Sequence, residues 1–257
     1  MRYLVISDIH SNWEALKAVL EAAEGRYGRI LCCGDLVGYG PSPNAVVDWA
    51  RANVAAVVRG NHDKASCGIS DAQDFNSVAR AAALWTRQEL SVENMNYLRS
   101  LPAGPLPIGG FQIVHGSVHD EDEYVFLPLD AQEDFDRLGY PLTFFGHTHQ
   151  QGGFVRVAPH RINVVQAPRG AGITSADLEL REREQYLLNP GSVGQPRDGD
   201  SRAAFAIYDQ GQRGVVEYWR APYDIAATQC AMASAALPEI LIQRLARGSV
   251  LIRRPGG

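Results

Sequence analysis

The chain has 257 residues, 46% of them hydrophobic, which is enough for one large α/β domain with a full core. Its formal net charge of −5 argues against a general nucleic-acid binder or a protein of anionic membrane surfaces, because both usually carry a basic field. No apolar run approaches the roughly 18 residues of a membrane span, and the first run, residues 3–6, is too short for a signal-peptide core. We therefore predict a single domain over residues 1–257, cytoplasmic and without membrane association.

The first part of the chain predicts alternating strands and helices. Ser11 with Glu14 forms a capping box that opens a helix, and Ser42 with Pro43 opens the next. Apolar runs of strand length precede and separate these helices, at residues 3–6, 30–33 and 54–58. This order with continuously apolar strands predicts a parallel sheet that is covered on both faces.

The rest of the chain predicts more of this sheet and then a second one. Helices are predicted at residues 75–90 and 92–101, after which the first sheet resumes with strands 111–114 and 142–145. From residue 154 onward the pattern predicts antiparallel strands of a second sheet packed on the first, at residues 163–166, 185–188, 203–208 and 215–219. The second sheet and two closing helices, 224–235 and 238–245, thus occupy about residues 150–250. Residues 168–177 predict a mobile hairpin tip, and residues 253–257 are expected to fray.

The four cysteines are Cys32, Cys33, Cys67 and Cys230, and none has CxxC spacing. Cys32 and Cys33 are neighbours on a predicted strand, so their side chains point to opposite faces and cannot chelate one ion. We predict small buried apolar residues in a reducing compartment.

Six of the seven histidines lie in or beside short motifs that follow predicted strands. The motifs are Asp8-Ile9-His10, Gly34-Asp35, Gly60-Asn61-His62-Asp63, His115-Gly116 and Gly146-His147-Thr148-His149. Any one of them alone would be weak evidence of a site, but together they indicate one. In an open α/β sheet, strand ends of this kind meet at the edge where ligands bind.

The residue types in these motifs predict a two-metal site. One residue separates Asp8 from His10, and one separates His147 from His149. On an extended backbone the two side chains of each pair would therefore project to the same side. Two such pairs from different strands can clamp one or two cations.

Three further side chains complete the predicted ligand set: a bridging carboxylate from Asp35, an amide oxygen from Asn61 and an imidazole from His115. Nitrogen and oxygen ligands without thiolate favour two divalent ions of Mn, Fe or Zn. With Asp8, Asp35 and a bridging hydroxide counted, two such ions leave a net charge of about +1, which suits one phosphodiester anion. His62 adjoins a ligand and is predicted to protonate the leaving oxygen.

The sequence supports the roles predicted for other polar residues less strongly. Arg197 is the best candidate for a phosphate contact, and Arg59 and Arg202 are two others. Arg197 could alternatively hold its loop through an ion pair. Tyr39 is predicted to line the substrate pocket, with Tyr124 and Phe126 on a covering loop, although packing under loops is an equal alternative.

Two histidines and an acidic run have neither a predicted ligand role nor the acid role predicted for His62. His160 is predicted to lie at the surface, and His119 is predicted either to have no role in the site or to contact substrate at its rim. The acidic residues 120–123 are predicted to form a solvated loop face, or else to disfavour polyanionic substrates or hold an extra ion.

These motifs, in this order over about residues 4–149, resemble the calcineurin-like metallophosphoesterase superfamily. The runs Gly38-Tyr39-Gly40-Pro41 and 189–194, followed by Arg197, resemble its compact bacterial, phosphodiesterase-like branch. The resemblance implies a four-layer α/β/β/α sandwich of two mixed sheets with flanking helices. It also implies His62 as the catalytic acid and two metal groups: Asp8, His10, Asp35 and His149, and Asp35, Asn61, His115 and His147.

The chain departs from one branch of this superfamily. Protein serine/threonine phosphatases usually carry a GDxVDRG run with an arginine for the phosphate dianion, and residues 34–40 here contain no arginine. The leading hypothesis is therefore hydrolysis of small phosphodiesters by a metal-bridging hydroxide. The alternatives are a phosphomonoesterase acting on nucleotides or phosphoproteins, and a non-catalytic scaffold like the related retromer subunit, against which the presence of His62 argues.

Overall fold

A computed structural model describes residues 1–167, 174–211 and 214–249. In these ranges the elements are, in chain order, β1 (Arg2–Ile6), α1 (Trp13–Ala22), β2 (Arg29–Cys32), α2 (Pro43–Asn53), β3 (Ala56–Val57), α3 (Asn61–Cys67), α4 (Ser77–Glu89), α5 (Val92–Ser100), β4 (Leu106–Pro107), β5 (Gln112–Ile113), α6 (Pro128–Phe135), β6 (Leu142–Phe144), β7 (Gly152–Ala158), β8 (Arg161–Gln166), β9 (Ser175–Glu179), β10 (Gln185–Asn189), β11 (Ala203–Asp209), β12 (Val215–Ala221), α7 (Ile225–Ser234) and α8 (Glu239–Leu245).

The strands form two six-stranded mixed sheets. The first has the order β3-β2-β1-β11-β12-β9, and the second has the order β4-β5-β6-β10-β7-β8. Within the first sheet β1, β2 and β3 are parallel, as predicted, but β11 pairs antiparallel with β1, with Val5 opposite Ala206. Within the second sheet β5, β6 and β10 are parallel.

Two predictions of sheet membership are wrong. Strands β5 and β6 do not resume the first sheet but belong to the second, and β11 and β12, which were predicted in the second sheet, extend the first. Apolar periodicity identifies a strand and its buried face, but it does not specify the strand's hydrogen-bonding partner. The later strands therefore add to both sheets.

Apolar side chains fill three layers and explain the stacking. On β1, alternate side chains face opposite ways: Leu4 and Ile6 pack under the helices on the outer face of the first sheet, and Val5 packs between the sheets. Phe144 joins Val5 between the sheets, while Phe135 of α6 packs on the outer face of the second sheet. The result is the α/β/β/α order that was predicted.

Several local elements differ from the sequence predictions. Residues 175–177 belong to β9 and not to a mobile hairpin tip, and the other part of that predicted tip, 168–173, lies outside the described residues, as do 253–257. Helices α3 and α6, which are 7 and 8 residues long, were not predicted from the sequence. Cys230 is exposed and corrects the prediction of four buried cysteines, whereas the other three are buried. None of the helices in the described ranges has the length and apolarity to cross a membrane.

Candidate metal centre

The predicted ligand residues come together where parallel strands of both sheets end. Asp8 follows β1, Asp35 follows β2, and Asn61 begins α3 just after β3. His115 follows β5 and His147 follows β6, so the second sheet contributes to the same place. Because the carboxyl ends of neighbouring parallel strands share one edge, motifs far apart in the chain lie side by side.

Their ligand atoms form two groups that share one residue. The first group is Asp8, His10, Asp35 and His149, and the second is Asp35, His115 and His147; within each group, all the atoms lie within 4.8 Å of one another. Every member is buried. The side-chain oxygen of Asn61 lies 3.4 Å from Nε2 of His115, beside the second group. The first group has the same members as one ligand set that the family resemblance implied, and the second has the members of the other set except Asn61.

The backbone at the site is not extended, so the reason given for the pairing of Asp8 with His10 was wrong. Both have positive φ, at 52° and 48°, and so do His147 and His149, at 65° and 58°. Seven of the ten positive-φ non-glycine residues in the described ranges lie here: Asp8, His10, Ser11, Asp35, Tyr39, His147 and His149. Such strained conformations concentrate at functional sites. They direct His147 toward one group and His149 toward the other.

Hydrogen bonds fix which nitrogen each imidazole offers to the centre. Nδ1 of His10 lies 3.0 Å from the carbonyl of Val37, and Nδ1 of His149 lies 2.6 Å from the carbonyl of Gln195. His115 has the same arrangement, with Nδ1 bonded to a backbone carbonyl at 2.8 Å. Donation from Nδ1–H leaves the Nε2 lone pair directed at the centre, as in metal-ligating histidines.

His147 is oriented in the opposite way. Its Nε2 lies 3.0 Å from the carbonyl of Asp122, so Nδ1 is the nitrogen free to act as a ligand. The ring of Tyr124 stacks on this imidazole at 3.7 Å between centroids, and Phe126 stacks on Tyr124 in turn. The covering loop predicted to carry these aromatic side chains therefore packs directly on a candidate ligand.

Buried atoms without partners show that the residues fit cations. Oδ2 of Asp8 and Oδ2 of Asp35 are buried and accept no hydrogen bond. Nε2 of His10 and Nε2 of His149 face each other at 3.1 Å, although both rings already donate through Nδ1. Buried hydrogen-bond acceptors that converge without a donor destabilise the folded protein. A cation bound between them would offset this destabilisation.

The directions of the pKa shifts at the site also fit metal binding. Burial lowers the pKa values of His10, His147 and His149 well below the usual value, so these rings are neutral, as metal ligands must be. Burial opposes ionisation of Asp35, but His115 above all holds its pKa well below the usual range. Burial likewise opposes protonation of His115, yet Asp35 raises its pKa to about 10. A proton on His115 thus supplies part of the charge that cations would supply.

His62 lies beside these groups and is not among them. Its ring contacts Tyr39 at 4.2 Å, His10 at 4.9 Å and Phe75 at 4.7 Å, and its Nδ1 has no hydrogen-bond partner. His62 and Tyr39 line a cleft of about 240 Å³ that also reaches Asn61. Burial lowers the pKa of His62 to about 4, which opposes an acid role at neutral pH, whereas the charge of an anion bound in the cleft would raise it.

Of the three predicted phosphate-binding arginines, only Arg197 lies at the centre. Its Nη2 donates to the hydroxyl of Tyr39 at 3.3 Å, and its backbone N–H donates to the carbonyl of His149 at 3.1 Å. Arg59 instead pairs with Glu121 at 2.9 Å, and Arg202 pairs with Asp200. Both arginines therefore hold their loops through ion pairs, which is the alternative role that the sequence left open for Arg197.

The remaining predicted residues have local structural contacts. His119 lies 2.6 Å from the hydroxyl of Ser117 and 2.8 Å from Glu123 and is not a member of either ligand group, and His160 is exposed as predicted. The acidic run is not simply solvated, because Glu121 and Asp122 both pair with Lys64.

The segment after β10 holds the centre in place and contains one of two residues that sequence reasoning missed. Ser192 donates to the carbonyl of Asp8 at 2.8 Å, and a methyl group on Gly194 would fall on the carbonyl group of Ile9. Gln195 supplies the carbonyl that orients His149. Arg244 of α8 reaches the same place and lies over the Tyr39 ring. No motif marked Gln195 or Arg244 in the sequence.

Comparison with known proteins identifies the family. The model of the calcineurin-like phosphoesterase superfamily domain matches residues 1–213, well beyond the motif region. The chain belongs to the calcineurin-like phosphoesterase superfamily. It is 36% identical over 249 residues to an uncharacterized protein of Methanocaldococcus jannaschii, which covers 95% of this chain and 97% of the relative.

Solved structures agree with this family and with the fold. A metallophosphoesterase from Sphaerobacter thermophilus is similar with a TM-score of 0.84 and 40% identity, over 96% of this chain and 99% of that one. A hypothetical protein from Pyrococcus horikoshii shares the fold with a TM-score of 0.76 at 20% identity, over 96% and 98% of the two chains. The predicted superfamily and fold are therefore confirmed, and the chain has a buried His/Asp cluster suited to divalent metal.

Proposed function

We propose that this metallophosphoesterase hydrolyses small phosphodiesters with two divalent ions, Mn, Fe or Zn, held at the two ligand groups. The observation that carries the proposal is that Asp35 belongs to both groups. A shared carboxylate offsets repulsion between neighbouring dications, which neutral ligands do not. When bound, two such ions would activate a water molecule as nucleophile and polarise the phosphoryl oxygens.

The surrounding side chains have distinct proposed roles. Asn61 lies beside the second group and in the cleft, so it would contact both ion and substrate. Arg197, held by Tyr39, would contact an anionic oxygen of the substrate. His62 would protonate the departing oxygen, since it lines the cleft and is not among the grouped ligands.

The preference for diesters rests on charge next to the ions. Residues 34–40 provide no arginine for the second charge of a monoester, and a site of about +1 suits a monoanion. Three buried free thiols agree with a reducing compartment such as the cytoplasm, where we place the enzyme.

A two-substrate comparison tests the reaction class. Bis(4-nitrophenyl) phosphate and 4-nitrophenyl phosphate share a leaving group, so their kcat/KM values with Mn²⁺ report the preference directly. We expect faster turnover of the diester and loss of both activities in Asp35→Asn. Faster monoester turnover would make the enzyme a phosphomonoesterase, and no turnover of either ester with any of the three metals would favour the non-catalytic scaffold.

A further inference from the structure

Two arginines from distant parts of the chain meet beside the candidate metal centre. The guanidinium groups of Arg197 and Arg244 each lie 5.7 Å from the centre of the Tyr39 ring. Both also donate to the same oxygen, Oε1 of Gln195, at 3.4 Å and 3.1 Å. The distance between the two donating nitrogens is therefore at most the sum of these two N···O distances, so the guanidinium groups are neighbours.

No carboxylate lies within ion-pair distance of these two arginines in the described part of the chain. Among the described residues neither Arg197 nor Arg244 takes part in an ion pair, and their hydrogen-bond acceptors are the neutral groups of Tyr39 and Gln195. Burial, and then the charge of Arg197, lowers the pKa of Arg244. Two like charges held this close without a directly paired acid destabilise each other, so the arrangement is suited to bind an anion.

The pair also has unused donors. Nε of Arg197, Nε of Arg244 and Nε2 of Gln195 are all buried and have no partner. The Gln195 side chain is only 2% exposed, while both arginines keep part of their surface exposed. Guanidinium groups that are partly open, with a buried amide between them, are suited to bind a phosphate group through several charge-assisted hydrogen bonds.

Apolar packing, and not an ion pair, places Arg244 here. Its neighbours Leu241 and Leu245 on α8 are buried in a cluster that includes Tyr39. Tyr39 in turn contacts His10 and His62 at 4.6 Å and 4.2 Å, so the arginine pair adjoins the candidate metal centre across one aromatic ring. A substrate held at the centre needs to extend only past that ring to reach the pair.

We propose that Arg197, Arg244 and Gln195 form an anion subsite for a second phosphate group of the substrate, carried on one alcohol of the scissile diester. This inference rests on the proposed diester hydrolysis and narrows its substrate class. The scissile monoanion already matches the charge of about +1 at the two ions, so the two additional cations suit another anionic group.

A matched set of three substrates tests the subsite. The substrates are 4-nitrophenyl phosphodiesters whose second alcohol is propyl, 3-phosphonopropyl or 3-trimethylammoniopropyl, so the leaving group and the scissile phosphoryl group are constant. For the wild type we expect kcat/KM to be about 10- to 100-fold higher for the phosphonate than for the propyl ester, which is the range of charge-assisted hydrogen bonds. The ammonium ester should be the slowest.

Variants separate the subsite from general effects. In Arg244→Gln the ratio of phosphonate to propyl turnover should fall to near one, and Arg244→Lys should keep part of it because it keeps the charge. Arg26→Gln is the matched control, since Arg26 also stacks on an aromatic ring, Trp219 at 4.4 Å, but lies elsewhere. The control should keep the wild-type ratio. No phosphonate preference in the wild type, or an unchanged preference in Arg244→Gln, would overturn the proposal.

Binding without turnover distinguishes this proposal from the proposed function. The corresponding methylphosphonate monoesters have methyl in place of the 4-nitrophenoxy group, so only a poor alkoxide leaving group remains and hydrolysis is slow. Their affinities for the Mn²⁺-loaded protein can therefore be measured by titration calorimetry. Tighter binding of the phosphonopropyl compound without hydrolysis of any ester would support the subsite and refute the diesterase. Hydrolysis of all three esters without a binding preference would refute the subsite alone.

Discussion

Replacing Gly194 by alanine tests whether the segment after β10 positions the metal ligands. Gly194 donates its backbone N–H to the carbonyl of Asp8 at 3.0 Å. A Cβ at this position would fall on the carbonyl oxygen of Ile9 and lie 2.7 Å from its carbonyl carbon. The neighbour is backbone, so it cannot rotate away, and the Asp8–His10 segment must shift.

The size of this effect follows from the two contacts. Overpacking costs about 1–3 kcal/mol and a lost hydrogen bond about 0.5–1.5 kcal/mol, so we expect Gly194→Ala to destabilise the fold by about 2–4 kcal/mol. In a chain of this length that lowers Tm by about 4–16 °C. Because Asp8 and His10 are displaced, Mn²⁺ should also raise Tm less in the variant than in the wild type.

Calorimetry with and without Mn²⁺ measures both effects, and Gly139→Ala is the control. A Cβ on Gly139 would meet nothing within 4 Å, and this residue has no positive φ. The control should therefore match the wild type or gain up to about 1 kcal/mol from lower entropy of the unfolded chain. A Gly194→Ala protein with wild-type Tm and wild-type response to Mn²⁺ would refute the reasoning.

Three further predictions concern single side chains. Asp35→Asn should lower metal content at both groups, whereas Asn61→Ala should weaken mainly one, and metal analysis showing two ions per chain in both variants would contradict the shared role of Asp35. His62→Asn should slow alkyl esters by about 10²- to 10⁴-fold and aryl esters less, with metal content unchanged; equal slowing of both ester types, or loss of metal, would remove the acid role. Burial opposes ionisation of Glu121, but Arg59 holds its pKa below the usual value. This stabilisation is present above the ordinary pKa and disappears as the pH falls through the lowered one, so urea unfolding between about pH 6 and about pH 3 should show a steeper loss of stability in wild type than in Glu121→Gln.

The sequence indicated which side chains lie together at the site because each motif follows a strand. Once β1 and β2 were identified, the shared edge of a sheet placed Asp8 beside Asp35 without further information. The backbone conformation could not be predicted in the same way, since the positive φ angles of His10 and His149 depend on the segments that pack against them.

Long-range pairing limited the other predictions. Nothing in the apolar pattern of β11 shows that it pairs with β1 in the first sheet, because its buried positions would suit either sheet. Arg244 was missed for a related reason. It lies 49 residues after Gln195 in the chain, and only the packing of α8 against Tyr39 brings the two together.

Crystals grown with Mn²⁺ and measured at the manganese absorption edge would test the central claim most directly. We expect two anomalous peaks per chain, roughly 3.5–4 Å apart, with Asp35 contacting both. One peak should lie against Asp8, His10 and His149, and the other against His115 and His147. A single peak, or peaks that Asp35 does not bridge, would contradict the two-metal account.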